Sequence, residues 1–315
     1  MKNKIICSYS PEARFGFGDF LRGSLHVKKI FDERGFEFDI DFSKHEIGKY
    51  ISSNYSGDDY DESDINKNIE KGSLLKELTG EHYICRNSFT WSHGRSIAGI
   101  LRAFAESIPK SDLEYFKKKI IFSDDVVKEL DSRLKAKNIN SYKVIQVRTG
   151  DADAFSEDGE MAKDSPGETK TDFKYEPEKY FKYITIFLER LPQNENFIFI
   201  SDNSELKGRI KKHFEQKPIN NIFVLTGDAS HTSRAMLRKL YDKPIVLDLF
   251  ETAIDLYLLS KSEENTSISC YSFASNFCQW ISLIFNIKYT ILNVHGRDLF
   301  QCLQSGSSKP NEIIK

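Results

Sequence analysis

Four short segments carry residues whose types and order could do chemistry on a phosphate or a nucleotide. In Val144-Ile145-Gln146-Val147-Arg148-Thr149-Gly150-Asp151 an apolar run ends on a guanidinium, then turns at a glycine beside a carboxylate. A planar guanidinium pairs bidentately with a diphosphate, and Asp151 is close enough in sequence to hold it in place. The same run also reads as a strand-end ion pair at the surface, which contributes little. Phe197-Ile198-Phe199-Ile200-Ser201-Asp202-Asn203 ends a second apolar run on Asp202. That carboxylate could accept hydrogen bonds from a nucleobase or ribose, or Ser201, Asp202 or Asn203 could simply cap the helix that follows. Ser269-Cys270-Tyr271-Ser272-Phe273-Ala274-Ser275-Asn276 places small hydroxyl residues at the start of a helix. The free N–H groups and positive dipole end there suit a phosphate, and capping by Ser272 is the plainer alternative. In Gly16-Phe17-Gly18-Asp19-Phe20-Leu21-Arg22 the two glycines let backbone approach a ligand closely. This is not the dinucleotide GxGxxG, because Leu21 holds the third glycine position, and a tight strand–helix turn would use the same glycines.

Metal chemistry has weaker support. Asp151-Ala152-Asp153 matches DxD, and Asp39-Ile40-Asp41 matches it again. Such carboxylates hold Mg²⁺ or Mn²⁺ when a diphosphate shares the ion, but the pattern is short and common. No CxxC or HxxxH occurs, which disfavours zinc. His93 and His231 are lone histidines, better read as structural or ligand-contacting. The acidic run 57–64 reads as a solvated loop.

These segments need elements to position them. Residues 5–7, a helix near 20–31 and an alternating strand at 36–40 make a strand–turn–helix–strand start. Residues 43–75 are polar and read mostly as loop. Helices follow at 95–118 and 123–137, the second opened by Ser123-Asp124-Asp125. From 141 a second series begins: strand 142–147, a polar segment at 150–175, helix 177–190, strand 197–200, helix 204–215, strand 222–225 and helix 231–240. Helix 250–260, strand 267–270, helix 273–286 and strand 288–292 complete it. Alternation of this kind implies parallel sheets covered on both faces, with ligands beyond the carboxyl ends of the strands. The expected organisation is an N-terminal Rossmann-like domain over 1–138, a C-terminal one over 139–303 and a tail over 304–315. The loop after Arg148 reads as an acceptor-binding or mobile segment.

Length and composition bound the rest. The chain has 315 residues, a formal net charge of −2, 39% hydrophobic and 29% charged residues, so it is neither disordered nor strongly basic. Nucleic acid is therefore not an expected partner. The C-terminal apolar stretch 273–291 is broken by polar residues and is not a spanning helix. The apolar N-terminus is too short for a signal peptide. Five cysteines, Cys7, Cys85, Cys270, Cys278 and Cys302, lack paired spacing and read as reduced thiols of a cytoplasmic protein.

Taken in order, the segments Gly-Phe-Gly-Asp, Val-Arg-x-Gly-Asp, Ile-Ser-Asp and Ser-Phe-Ala-Ser resemble the GDP-fucose-dependent fucosyltransferase superfamily, which includes α1,2-, α1,6- and protein O-fucosyltransferases. Gly16 to Arg22 is similar to the glycine turn of its bacterial nodulation α1,6 branch. Gln146 to Asp151 resembles the family's His-Val-Arg-Arg-Gly/Thr-Asp, with Gln146 in place of the histidine and Thr149 in place of the second arginine. Ser201-Asp202-Asn203 resembles its Ser/Thr-Asp-Asp. Asp255 to Ser260, followed by Phe273 to Cys278, resembles its Asp-x-x-x-Leu-Ser and Phe-Ser-Ser-x-x-Cys run, with a spacing four residues longer. The resemblance covers residues 5–40 and 141–285.

This resemblance implies an α/β GT-B fold with two Rossmann-like domains facing a cleft. It implies sugar transfer with inversion from a GDP-sugar donor, with no cofactor and no metal. Arg148 would hold the β-phosphate, with Asp151 in the catalytic set. Gln146, Asp202 and Asp255 would lie around the nucleotide, Asp255 on the guanine. Ser272, Phe273, Ala274 and Ser275 would face the diphosphate, and Gly16, Phe17 and Gly18 the other wall of the cleft. Asp19, Asp153 and Glu157 are candidate acceptor or base residues by position alone. The expected acceptor is an oligosaccharide or lipid-linked glycan, which is compatible with peripheral membrane association. Two other readings stay open: a non-catalytic nucleotide-binding module on the same fold, and a DxD metal-dependent glycosyltransferase.

Overall fold

The structure is a computed structural model. It describes residues 3–9, 16–55, 82–86, 108–149, 177–217, 221–227, 249–269 and 275–293. The expected helix 231–240, most of the expected helix 95–118, the acidic run 57–64, the segment 150–176 and the tail lie outside the described residues. So do Asp151, Asp153, Glu157, Ser272, Phe273, Ala274, His93 and His231.

The chain opens as expected, with β1 (Lys4–Ser8), α1 (Phe17–Asp32) and β2 (Glu37–Asp41). The strands are parallel, Ile5 opposite Phe38 and Cys7 opposite Ile40. The polar stretch after β2 holds more than loop. A 3₁₀ turn at Glu46–Lys49 leads into the two-residue strand β3 (Ile51–Ser52). A strand β4 (His82–Arg86), which the sequence reading does not contain, pairs parallel to β1 and completes a three-stranded sheet, β2-β1-β4. Its residues His82-Tyr83-Ile84-Cys85-Arg86 do not alternate as those of β2 do, and the β1 ladder fixes them as strand.

Next come α2 (Lys110–Lys119), β5 (Ile121–Phe122) and α3 (Asp124–Ala136). Strand β5 pairs antiparallel to β3. The expected cap of α3 is present: Ser123 Oγ accepts from Val126 N, with Asp124 and Asp125 in the first turn.

The second series is β6 (Lys143–Arg148), α4 (Pro177–Glu189), β7 (Asn196–Ser201), α5 (Ser204–Gln216), β8 (Asn221–Phe223), α6 (Phe250–Lys261), β9 (Glu264–Ser269), α7 (Asn276–Phe285) and β10 (Lys288–Asn293). Its five strands form one parallel sheet in the order β10-β9-β6-β7-β8. Strand β9 starts three residues before the expected 267, because polar Glu264-Asn265-Thr266 hides it from a hydrophobicity pattern. It lies between β10 and β6, and Asn265, Ser267 and Ser269 are fully buried. A buried polar strand stands only if its side chains are paired. Asn265 Nδ2 donates to Leu259 O and Ser282 Oγ, both at 2.9 Å, and Ser262 Oγ donates to Asn265 Oδ1 at 2.7 Å.

One apolar core runs through both series: Ile5, Phe20 and Leu25 belong to it, and so do Leu256, Trp280 and Ile284. Helix α1 packs on α7, and α3 packs on α6. At the α1–α7 contact glycine is required. A Cβ on Gly18 would lie 2.4 Å from the Asn276 carbonyl carbon and 2.5 Å from Phe277 N. In a helix without that neighbour, Gly to Ala would stabilise by about 1 kcal/mol. Here Gly18→Ala should instead destabilise by about 1–3 kcal/mol through overpacking. A urea midpoint equal to or above that of the unmutated chain would contradict this packing.

Candidate functional site

The carboxyl ends of β6, β7 and β9 come together by register. Val147 sits opposite Ser201, and Arg148 sits opposite Ser269. At this edge Arg148 Nη1 lies 3.2 Å from Asp202 Oδ2, with the two side chains 20% and 16% exposed. The other oxygen, Asp202 Oδ1, accepts from Thr149 N at 2.9 Å and from Thr149 Oγ1 at 3.2 Å. Asp202 therefore locks both the guanidinium and the backbone that delivers it. Sequence proximity points to Asp151 for that task, which lies outside the described residues; among the described residues Asp202, at the end of the adjacent strand, takes it. The helix-cap alternative falls to its neighbour: Asn203 Oδ1 accepts from Leu206 N at 2.8 Å and starts α5.

Gln146, two residues before Arg148, is buried. Its Oε1 accepts from Ser267 Oγ at 2.8 Å, and its Nε2 donates to Ser275 Oγ at 3.0 Å. Ser275, rather than Ser272, is the N-cap residue of α7, and its hydroxyl makes no capping bond. The strand carrying the arginine is thus tied to the start of the helix whose N–H groups point to the same edge.

The glycine turn meets that helix start. Gly16 is the N-cap residue of α1, and Gly18 packs on the backbone of Asn276 and Phe277. Phe17 does not present its ring to a cleft. It is fully buried, with its ring centroid 5.3 Å from Phe42 and 5.6 Å from Tyr9. Only its main chain is at the helix terminus. Asp19 Oδ1 accepts from Asn276 Nδ2 at 2.5 Å, and Arg22 Nη2 lies 3.7 Å from it. Asn276 Oδ1 in turn accepts from Trp280 Nε1 at 3.3 Å. Burial raises the Asp19 carboxyl above its usual range, while Arg22, Asn276, Arg148 and the Gly16 backbone pull it back. The opposing pull of Arg148 brings the first turn of α1 into the electrostatic reach of the β6 arginine.

Asp255 lies in α6, 4% exposed, with Oδ1 unpartnered among the described residues. Burial pushes its carboxyl up to about 7, against Lys207 and Thr226, which favour the ionised form. Lys207 is itself 3% exposed; it donates to Thr226 Oγ1 at 3.3 Å and to Gly227 O. Glu251 fastens this corner. It accepts Gly227 N at 2.6 Å and a bidentate pair from Arg133 at 2.7 and 2.8 Å. The loop 224–227 leaves the carboxyl end of β8, so this polar corner opens on the same edge of the sheet.

The sequence reading misses Asn276, Lys207, Thr226, Thr149 and Ser267 as members of the cluster. Lys207 had a signal, because it borders the stripe Leu206, Ile210 and Phe214 that faces the core. The others pair across 19 to 257 residues of chain, and no local pattern marks them.

No protein-family model matches the chain, and no curated protein matches it. Among solved structures it is similar to NodZ α-1,6-fucosyltransferase soaked with GDP-fucose, with a TM-score of 0.52 at 10% identity over 94% of this chain and 96% of that one. Fucosyltransferase NodZ from Bradyrhizobium gives 0.52 at 11% identity over 94% and 97%. A FUT1 variant from Arabidopsis thaliana in complex with GDP gives 0.50 at 9% identity over 93% of this chain and 70% of that one. The chain has the GT-B type fold of these fucosyltransferases.

Proposed function

We propose that the chain is an inverting, metal-independent glycosyltransferase that moves fucose or a related sugar from a GDP-sugar to a glycan hydroxyl. The observation that carries this reading is the Arg148–Asp202–Thr149 clamp beside the Gln146-tethered start of α7. A fixed guanidinium and a helix N-terminus at one strand edge are what a departing diphosphate needs. The GDP and GDP-fucose held by structures of this fold support the donor. In this reading Arg148 takes the β-phosphate and Asp202 positions Arg148. Ser275 lies at the diphosphate, and Asp255 accepts from the guanine N–H groups with its unpartnered oxygen.

The acceptor is an oligosaccharide or lipid-linked glycan. The sheet β2-β1-β4 forms the acceptor side and the five-stranded sheet the donor side, divided near residue 138. The buried thiols Cys7 and Cys278 suit a reducing cytoplasmic setting. None of the described helices is long and apolar enough to cross a membrane.

Thermal shift tests the donor. GDP at about 100 times its dissociation constant should add about 2.7 kcal/mol of stability, and the shift should survive EDTA. A response only to UDP with Mn²⁺ would favour the metal-dependent reading. The absence of any response to GDP would overturn the proposal.

A further inference from the structure

We infer that Asp19 is the general base of the transfer, taking the proton of the incoming acceptor hydroxyl. This rests on the GDP-sugar reading above.

Three observations converge on this carboxylate. It stands in the first turn of α1, which abuts the first turn of α7 through Gly18. The candidate base therefore sits at the start of α7, the helix start to which Gln146 ties the arginine's strand, and Arg148 lies within its electrostatic reach. Second, its orientation is fixed from outside its own helix. Asn276 Nδ2 donates to Oδ1, and the Asn276 amide is held by Trp280 Nε1. Third, it is neither sealed nor loose: 22% of the side chain is exposed, while Arg22 beside it is 7% exposed. A base must be reachable by substrate and held in geometry.

The electrostatics agree. Among the described residues the charged groups facing Asp19 are Arg22 on its own helix and Arg148 from β6, with Asn276 as the neutral donor from α7. Burial outweighs these and raises its proton affinity above that of an ordinary carboxylate, the direction that favours a base. His26, two turns further along α1, is pushed down to about 4 by burial, with Arg22 and Lys29 adding to it. It stays neutral and is the weaker candidate.

The step balances. The acceptor O–H bond breaks and its proton passes to an Asp19 oxygen. The acceptor oxygen forms a bond to the anomeric carbon. The bond from that carbon to the β-phosphate oxygen breaks, and the electron pair leaves with GDP against Arg148. Protonated Asp19 returns its proton to water after product release.

The test compares the full-length chain with Asp19→Asn, using GDP-fucose and two small acceptors, water and azide. Water must lose a proton to react, whereas the azide anion needs no base. The variant should keep the GDP thermal shift of the unmutated chain and lose about 10²-fold or more in donor hydrolysis. The acid limb of the rate–pH profile should disappear. Azide transfer should fall far less, by under about tenfold on the same scale. Equal losses with water and azide would make Asp19 structural and overturn the inference. So would near-normal hydrolysis, or an unmutated chain that binds GDP yet turns over neither acceptor. A chain that shows no GDP shift at all would instead overturn the donor reading.

Discussion

Arg148→Ala is expected to lower turnover of GDP-fucose by about 2–4 kcal/mol of transition-state stabilisation, roughly 30- to 10³-fold in kcat. The guanidinium is 20% exposed and outside the core, so its removal should leave the fold intact. Asp202 keeps the Thr149 N–H and hydroxyl as partners and is not stranded. The loss should fall on kcat more than on KM, because the charge it answers develops fully only as the diphosphate departs. Arg148→Lys should recover only part of the rate, since an ammonium cannot form the planar two-point contact. Steady-state kinetics of donor turnover checks this, and a kcat within a few-fold of the unmutated chain would remove Arg148 from the proposed chemistry.

Asp255→Asn carries the other large effect, and it acts on stability and on binding in opposite directions. The unfolded carboxyl titrates near 3.8, while the folded, buried one sits at about 7. Below about pH 4 both states are protonated and the fold loses nothing. As pH rises from about 4 to 7 the unfolded chain ionises while the folded carboxyl keeps its proton, so stability falls by a total of about 4 kcal/mol and levels off above 7. Neutral asparagine removes that loss. The variant should therefore be more stable than the unmutated chain at pH 8 and about equal to it at pH 4. Where guanine binds the ionised carboxylate, GDP affinity in the unmutated chain should tighten with rising pH, about tenfold per unit up to 7, then level off. The variant should lose both the affinity and its pH dependence. Urea denaturation and GDP titration at the two pH values measure both. A variant no more stable at pH 8 would mean that Asp255 is already ionised and paired in the folded chain.

Several elements were legible because their signal is local. Ser123-Asp124-Asp125 starts α3 through one side chain and its own backbone. The apolar runs ending at Arg148 and Ser201 are buried on both faces of a parallel sheet, so hydrophobicity marks them. What failed was non-local. Strand β4 is defined by its ladder to β1, and the first three residues of β9 by amide and hydroxyl bonds that make polar residues acceptable inside. Phe17 looked like a cleft residue beside two glycines, yet the helix turns its ring into the N-terminal core.

The sequence by itself determined the alternation of strands and helices, and hence two parallel sheets with Arg148 and Asp202 at strand ends. It also placed a glycine turn ahead of α1. These follow from periodicity and from backbone rules that act within a few residues. Only the tertiary structure decided the partners. It brought Arg148 to Asp202, gave Ser275 to Gln146, and seated Gly18 on Asn276 beside Asp19. Those pairings span 54 to 258 residues of chain. They are selected by sheet order and by one shared core, which a linear pattern does not encode.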